Sequence, residues 1–289
     1  MTVIELIEAG AKQLADAGVA FGHGTANAFD ESAWLVLWKL DYALDDIDAA
    51  AEQPVTPVQQ AGVQDLLATR IATRKPAAYL TKEAWLQGVP FYVDERAIVP
   101  RSFIAELLAD GSFDPWLGPH THRVLDLCTG NGSLAVLAAM TYPDVAVDAA
   151  DISTDALEVA KINVAQHEMA ERITLLVSDG LKDLPARYDL ILCNPPYVNS
   201  ASMAALPAEY RAEPELALAG GTDGMDFIRG LLAAAPARMT PRAVLVLEIG
   251  NEYDNFIAAF PRLEAMGLPT SAGDDQVLLI TREAIEKSA

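Results

Sequence analysis

Cysteine is scarce in this sequence, and long apolar runs are missing. The two cysteines, Cys128 and Cys193, lie outside any CxxC or Cys/His cluster, which disfavours a disulfide framework and a structural zinc site. No apolar stretch reaches the roughly 20 residues that a membrane-spanning helix needs. The first residues form an acidic amphipathic pattern without the basic start and continuous apolar segment of a signal peptide. We therefore expect a soluble protein in a reducing, cytoplasmic setting.

Basic residues are also few, since 20 Lys and Arg stand against 41 Asp and Glu and the net charge is −21. A nucleic-acid-binding protein normally shows a basic face, and aromatic residues for base stacking make up only 7% of the chain. Direct nucleic-acid binding is therefore disfavoured. A basic protein partner would be attracted, although charge alone fits equally well a surface that only keeps the protein soluble.

Histidine occurs four times, and no histidine lies near the motifs described below. His120 and His122 are expected in a loop, because two histidines without further ligands in the pattern do not make a metal site. No metal is predicted.

Three regions differ in their pattern. Residues 1–78 show helical spacing of apolar residues, with Thr56 as a helix N-cap and Pro57 at the first helical position; we predict a helical, substrate-recognition domain. Residues 79–100 alternate, are rich in aromatics and break at "QGVP", which predicts a β-hairpin connector. Residues 101–289 follow as the third region and open on a helix that ends at Gly111.

Strand and helix patterns alternate from about residue 122. Apolar strands such as "HRVLDLC", "VAVDAADI", "ITLLVSD", "YDLILCN" and "AVLVLEIG" are separated by helical segments, and "DQVLLITRE" is the last strand. Nearly continuous apolar strands separated by helices indicate a parallel sheet covered on both faces. An α/β fold with a doubly wound, mostly parallel sheet is therefore predicted.

The first strand is followed by "DLCTGNGS", a tight turn with glycines that allow backbone N–H groups to approach a ligand. Ligands of α/β sheets bind at such turns. The residues expected here are Asp126, Cys128, Thr129, Gly130, Asn131 and Gly132. The third glycine of a dinucleotide fingerprint is missing, and a GxG turn alone is weak support, because a tight turn needs glycine without any ligand.

Acidic residues end the next two strands. Asp151 can accept hydrogen bonds from the hydroxyls of a ribose; the alternative is a helix cap, a role that Ser153 or Thr154 can take instead. Asp179 can accept a hydrogen bond from an adenine amino group, or it is an ordinary turn residue before Gly180. Together with the glycine turn, these acids fit an adenosine-containing cofactor.

The fourth strand ends in "NPPY". This strand is expected beside the first, so that Asn194 faces the same cleft. An amide nitrogen is planar and a poor nucleophile, and the Asn194 side-chain oxygen with the Pro195 carbonyl can accept both of its hydrogens and aim its lone pair at a methyl group. Pro196 adds no competing N–H, and Tyr197 can pack on the planar group. The alternative for the tetrapeptide alone is a strand-terminating turn.

These features resemble class I, Rossmann-like S-adenosylmethionine-dependent methyltransferases, whose glycine turn has the form DxxTGxG. The segments "KPAAYLTKEAWLQGVPFYVDERAIVPRSFIAELL", "DLCTGNGSLA", "CNPPYVNSASMAALPAEYRAEPELALAGGTDGMDFIR" and "LEIGNE" resemble the protein-(glutamine) methyltransferases. Within that family they are similar to the branch that modifies large-subunit ribosomal protein three. The sister branch, which modifies peptide-chain release factors, normally reads "IPRPETE" where this chain has "VPRSFIAE".

The resemblance implies S-adenosylmethionine as cofactor and a glutamine side-chain amide of a basic ribosomal protein as substrate. The implied cofactor-binding residues are Arg101, Asp126, Cys128, Thr129, Gly130, Asn131, Gly132, Asp151, Ile152, Asp179, Gly180 and Asn194. The implied catalytic residues are Asn194, Pro195, Pro196 and Tyr197. Pro100 is expected beside Arg101 in the cofactor cleft, and Glu213 with Pro214 at the substrate side. Asn131 stands where the family often has Ser or Thr.

Alternatives stay open at this point. They are a release-factor glutamine methyltransferase, a DNA or RNA amino-methyltransferase, and a cofactor-binding module without turnover. Trp34 and Trp38 either hold the protein substrate or, as we expect, fill the core of the N-terminal domain.

Overall fold

A computed structural model describes residues 1–288 of the protein. The helices are α1 (Val3–Asp16), α2 (Ala28–Lys39), α3 (Ile47–Ala50), α4 (Pro57–Thr73), α5 (Ala77–Thr81), α6 (Ile104–Asp110), α7 (Ser133–Thr141), α8 (Thr154–Gln166), α9 (Ser200–Ala205), α10 (Asp226–Arg238), α11 (Tyr253–Ala259) and α12 (Arg282–Ser288). The strands are β1 (Ala84–Leu86), β2 (Val89–Phe91), β3 (Arg123–Leu127), β4 (Ala146–Asp151), β5 (Ile173–Val177), β6 (Tyr188–Cys193), β7 (Met239–Glu248), β8 (Met266–Gly267) and β9 (Val277–Thr281).

The N-terminal helices begin at residues that satisfy their free backbone N–H groups. Thr56 caps α4, Gln59 reaches back to the Thr56 backbone, and Pro57 takes the first helical position, as predicted. The apolar faces of α1, α2 and α4 share one core, in which Trp34 is 8% exposed, while Trp38 packs against that core. Both tryptophans therefore serve the core of this helical region, as expected.

The two strands of the connector are short. The hairpin strands β1 and β2 have three residues each and pair over residues 84–91, whereas residues 77–81 form α5. Helix α5 ends at Lys82 in the left-handed region, and Gln87 and Gly88 make the turn at positive φ. The predicted short β-hairpin with its turn at "QGVP" is therefore present, and its paired strands cover residues 84–91 of the connector. The division into residues 1–78, 79–100 and 101–289 stays a prediction.

The main sheet has seven strands in the order β5-β4-β3-β6-β7-β9-β8. Strands β3 to β7 run parallel to one another. Strand β9 runs antiparallel to both of its neighbours, β7 and β8. Val124 on β3 belongs to a core with α6 and α7, whereas the next residue, Leu125, belongs to a core with α10 and α12. Because helices cover both faces, the strands are apolar throughout, and the predicted doubly wound sheet is confirmed.

Three short elements were not apparent in the sequence pattern: α9, β8 and α12. Helix α9 ("SASMAA") buries no residue and β8 has only two residues, so neither carries a periodic apolar signal. None of the helices within residues 1–288 has the length and apolarity to cross a membrane. The carboxyl ends of β3, β4, β5, β6 and β7 meet at one edge of the sheet, where the candidate site lies.

Candidate functional site

The turn after β3 is held from below by a buried carboxyl group. Oδ2 of Asp126 accepts hydrogen bonds from the Thr129 hydroxyl at 2.5 Å and from the Ala135 amide at 2.9 Å. Burial raises the pKa of Asp126 to about 7, and the two hydrogen bonds offset only part of that rise. The hydrogen bonds of Asp126 therefore fix the conformation of the turn from its buried side.

Glycine is required at the end of this turn. Gly132 has a φ of +80°, and a Cβ on it would lie 3.0 Å from the Cβ of Ala160 on α8. The side chain of Asn131 is buried and accepts a hydrogen bond from the Ser133 amide at 3.2 Å. Gly130 also has positive φ, but space around it is open, so its backbone faces the cavity described next.

A first cavity of about 230 Å³ lies over the carboxyl ends of β3, β4, β5 and β6. Asp151 lines this cavity; its Oδ2 accepts a hydrogen bond from the Gly130 amide at 2.9 Å and its Oδ1 accepts one from the Ser153 amide at 2.9 Å. Ser153 itself caps α8 through the Ala156 amide. Asp151 is therefore not the helix cap, and each of its oxygens keeps a lone pair for a ligand.

The rest of the first cavity is mostly apolar. The side chains of Ile152 and Leu216 are 50% and 59% exposed and both line it. Arg96 is the one cation among the described residues that line this cavity, and its guanidinium is bound to Asp94 at 2.8 and 2.7 Å. Asp179 adds a second carboxylate. Such a set of groups suits a nucleoside without phosphates.

The structure divides the predicted cofactor residues into three groups. The residues that line the first cavity are Cys128, Gly130, Asp151, Ile152, Asp179, Gly180 and Asn194, together with Pro196. Asp126, Thr129, Asn131 and Gly132 are buried in the turn. Arg101 lines a second cavity instead.

The second cavity has a volume of about 540 Å³ and meets the first at Asn194, which lines both. Pro195 and Tyr197 face the second cavity, as do Tyr210 and Glu248. The four residues of the "NPPY" motif are thus brought to the boundary between two cavities, with Pro196 on the first side. A group held by Asn194 from the second cavity would face a ligand in the first.

Close packing fixes the position of Tyr197. A Cβ on Gly220 would lie 2.7 Å from the Tyr197 Cα, and one on Gly250 would lie 2.5 Å from its ring. The next residue, Val198, donates a backbone hydrogen bond to Leu218 and accepts one from Gly220, both at 2.9 Å. Because the backbone around Tyr197 is crowded and paired, the ring is held at the cavity wall.

Glu248 at the end of β7 is a site residue that sequence reasoning missed. It is 2% exposed, and its Oε1 accepts a hydrogen bond from the Tyr197 hydroxyl at 3.2 Å. Its Oε2 accepts hydrogen bonds from the Ser102 hydroxyl at 2.5 Å and the Phe103 amide at 3.0 Å. A signal was present, since an acid at the carboxyl end of the strand beside β6 belongs at a ligand-binding edge.

The segment of residues 209–218, here called the wall segment, borders both cavities. Its Glu213 is fully buried and accepts hydrogen bonds from both Arg101 Nη atoms at 2.6 and 2.8 Å and from the Val99 amide at 2.9 Å. His23 Nε2 lies 3.3 Å from the same carboxylate. Burial alone would raise the pKa of Glu213, but the charge of Arg101 and the contacts with His23 lower it to about 2.

Helices of the N-terminal region hold the other end of the wall segment. Glu209 lies 3.5 Å from Arg70 on α4 and 3.3 Å from Arg74. Arg70 is fully buried and also donates to Glu31 on α2 at 2.8 Å. The wall segment is therefore positioned by charges from the N-terminal helices and the connector together.

Comparison with known proteins gives a consistent result. The methyltransferase small domain family matches residues 107–209. The chain is 52% identical over 287 residues to the ribosomal protein uL3 glutamine methyltransferase of Bordetella pertussis, covering 98% of this chain and 96% of that protein. It is 49% identical to the protein of the same name from Burkholderia pseudomallei, covering 96% and 94%.

A solved structure supports the fold. The catalytic domain of hMettl16, in complex with MAT2A 3′UTR hairpin 6, superposes with a TM-score of 0.52 and 14% identity over 75% of this chain and 81% of that chain. At this identity the likeness concerns the arrangement of strands and helices alone.

Proposed function

The chain belongs to the family of ribosomal protein uL3 glutamine methyltransferases, and on that premise we propose that it transfers a methyl group from S-adenosylmethionine to the side-chain amide nitrogen of a glutamine in uL3. One observation carries the proposal: Asn194 stands where the two cavities meet. A cofactor on one side and an amide on the other would then face each other across this residue.

The first cavity fits S-adenosylmethionine, which supplies a methyl group on a positively charged sulfur. Asp151 has free lone pairs for the two ribose hydroxyls, and Asp179 is placed to accept a hydrogen bond from the adenine amino group. The exposed faces of Ile152 and Leu216 would be covered by the adenosine. Two carboxylates and no unpaired cation among the described lining residues favour a cationic ligand without phosphate.

The second cavity fits the glutamine side chain. In this proposal the Asn194 side-chain oxygen and the Pro195 carbonyl accept the two N–H groups of its amide, which holds the nitrogen and aims its lone pair at the first cavity. The fixed ring of Tyr197 gives the planar amide a surface to pack on.

The charge of the protein favours a protein substrate. With a net charge of −21, the enzyme would attract a basic ribosomal protein and repel a nucleic-acid backbone at long range. The reducing cytoplasm, where such a substrate is made, is the setting that the two free cysteines suit. The N-terminal helices are proposed to help position the substrate through the wall segment.

A competition experiment tests the substrate class. The enzyme is incubated with radiolabelled S-adenosylmethionine and an equimolar mixture of purified uL3, release factor, DNA and ribosomal RNA. We expect label in uL3. Label confined to the release factor would support the sister activity, label confined to nucleic acid would support an amino-methyltransferase of DNA or RNA, and absence of transfer to all four would support a non-catalytic module; each would contradict the proposal.

Replacing Asp151 with alanine is expected to weaken cofactor binding. Hydrogen bonds to a charged acceptor contribute about 1.5–3 kcal/mol, so the dissociation constant of S-adenosylmethionine should rise about 10- to 100-fold, measured by calorimetry. Asp155→Ala removes an exposed acid from the first turn of α8 and is the matched control, expected to leave affinity unchanged. Equal affinity of the Asp151 variant and the wild type would rule out the ribose contact.

A further inference from the structure

The proposed reaction leaves a proton to be removed. Once the glutamine nitrogen has formed its bond to the methyl carbon, the nitrogen holds the methyl group, two hydrogens and a positive charge. The groups placed to accept its hydrogens, the Asn194 side-chain oxygen and the Pro195 carbonyl, are neutral amide oxygens and weak bases. A stronger proton acceptor near the same cavity would complete the reaction.

The second cavity contains such a group in Glu248. This carboxylate lines the cavity with Asn194, Pro195 and Tyr197 and is 2% exposed. Its Oε1 accepts a hydrogen bond from the Tyr197 hydroxyl at 3.2 Å, and the Tyr197 oxygen keeps a lone pair for a further donor. A path of one hydrogen bond thus connects the wall of the amide site to a carboxylate shielded from water.

Resting on the proposed function, we propose that Glu248 is the proton acceptor of the methyl transfer and acts through the Tyr197 hydroxyl. Once the nitrogen is tetrahedral, one of its two N–H groups leaves its neutral amide acceptor and turns to the Tyr197 oxygen. Its proton passes to that oxygen as the Tyr197 hydroxyl proton passes to Glu248 Oε1. The nitrogen is left as a neutral N-methyl amide, Tyr197 as a phenol and Glu248 as a neutral carboxylic acid. The positive charge that arrived with the methyl group is cancelled by the carboxylate, and the proton later leaves to solvent.

The surroundings of Glu248 suit this role. Burial raises the pKa of its carboxyl above the ordinary 4.5, and the hydrogen bonds from Ser102, Tyr197 and the Phe103 amide offset part of the rise. The other charged groups near Tyr197 are Arg101 and Glu213, which neutralise each other as an ion pair. A carboxylate with a raised pKa is a better base than an exposed one.

Glu248→Gln tests the proposal because glutamine keeps the size of the side chain but is not a base. Its single oxygen can accept either from Ser102 and Phe103 or from Tyr197, and its NH2 group then faces the other side. We expect kcat to fall about 10²- to 10³-fold, with the KM for uL3 and the dissociation constant of S-adenosylmethionine within about threefold of wild type. In the wild type, kcat should fall as the pH drops through the raised pKa, because the protonated acid cannot accept; this limb should be missing in the variant. Tyr197→Phe should show a comparable loss of kcat.

Ser102→Ala is the matched control. It removes a hydrogen bond from the same carboxylate but leaves the proton acceptor, so kcat should fall less than in Glu248→Gln and the acidic limb of the pH profile should remain. Equal losses in Ser102→Ala and Glu248→Gln, at an unchanged pH profile, would show a purely structural role for Glu248 and overturn the proposal.

A second readout does not depend on turnover. Infrared titration of the enzyme without cofactor should show several buried carboxylic acids, because burial also raises the pKa of Asp126, Asp151 and Glu31. One acid band that appears at a pH above 4.5 should be missing in Glu248→Gln while the others remain. Failure of this inference can be distinguished from failure of the proposed function. If the wild type methylates uL3 and Glu248→Gln keeps at least a third of its kcat, only the inference about Glu248 is contradicted.

Discussion

Asn194→Ala is expected to slow methyl transfer about 10²- to 10³-fold while the affinity for S-adenosylmethionine stays within a few-fold of wild type. The side-chain oxygen of Asn194 is one of two acceptors for the substrate amide, and loss of one such positioned group typically costs about 10²- to 10³-fold in kcat. The cofactor affinity should survive because the hydrogen bonds that position Asp151 come from Gly130 and Ser153 and do not involve Asn194. Single-turnover rates and calorimetry on the same samples separate the two effects.

Asn255→Ala provides the control for this experiment. Asn255 is a partly buried asparagine on α11 that lines neither cavity, so its loss should leave the transfer rate unchanged. A variant Asn194→Ala that transfers methyl groups at more than a tenth of the wild-type rate would contradict the role of Asn194 in holding the amide.

Glu213→Ala is expected to have the largest effect on stability. The side chain of Glu213 is 0% exposed, and its removal leaves the Arg101 guanidinium and His23 without the carboxylate they contact. Removing one partner of a buried ion pair lowers the free energy of unfolding by about 3–5 kcal/mol. Urea unfolding should show a loss of this size, and transfer should fall as well because the wall segment borders both cavities.

Glu215→Ala is a matched control for Glu213→Ala, since this glutamate lies two residues further on and is exposed. We expect its free energy of unfolding to stay within about 0.5 kcal/mol of wild type. A loss of under 1 kcal/mol in Glu213→Ala would show that the wall segment does not depend on the buried pair.

The same glutamate predicts a dependence of stability on pH. Its pKa is about 2 in the folded protein against an ordinary value of 4.5, so folding favours the ionised form. This stabilisation is fully present above pH 4.5 and is lost as the pH falls from 4.5 towards 2. Other lowered carboxyls, among them Asp94 and Glu95, titrate in the same range, so the measurement is the difference between wild type and Glu213→Gln, which should shrink on acidification.

The fold could be predicted from the sequence because each helix, strand and turn is encoded by residues close together in the chain. The apolar strand "YDLILC" is buried at every position, and such a run between helices admits few arrangements other than a parallel sheet. The cap at Thr56 and the turn at Gly130 and Gly132 follow from chemistry within a few residues. Because parallel strands end at the same edge of a sheet, Asp151 and Asn194 could be assigned to one edge of the sheet.

The contacts that complete the site are not local and could not be predicted. Arg101 and Glu213 are 112 residues apart in the chain, and no periodic pattern connects them. The family resemblance implied Arg101 as a cofactor residue, whereas in the structure it lines the second cavity and is bound to Glu213. The hydrogen bonds of Glu248 to Ser102 and Tyr197 likewise depend on how the connector folds against β7.

The connector contains the predicted hairpin, but its alternating pattern extends beyond the paired strands. Alternating aromatic and polar residues over 79–100 have the period of a strand, but the Tyr79 side chain packs inward from α5 and its hydroxyl donates to the Ala97 carbonyl at 2.7 Å. Tertiary packing decides the conformation of such a short segment.

The most direct test of the account is to find the atom that receives the methyl group. Purified uL3 is treated with the enzyme and S-adenosylmethionine, digested and sequenced by tandem mass spectrometry, with acid hydrolysis to distinguish methylamine released from a side-chain amide. The account predicts one added methyl group on the side-chain nitrogen of a glutamine in uL3. A methyl group on a lysine, arginine or main-chain amine of uL3, or an unmodified uL3 beside a methylated release factor, would contradict it.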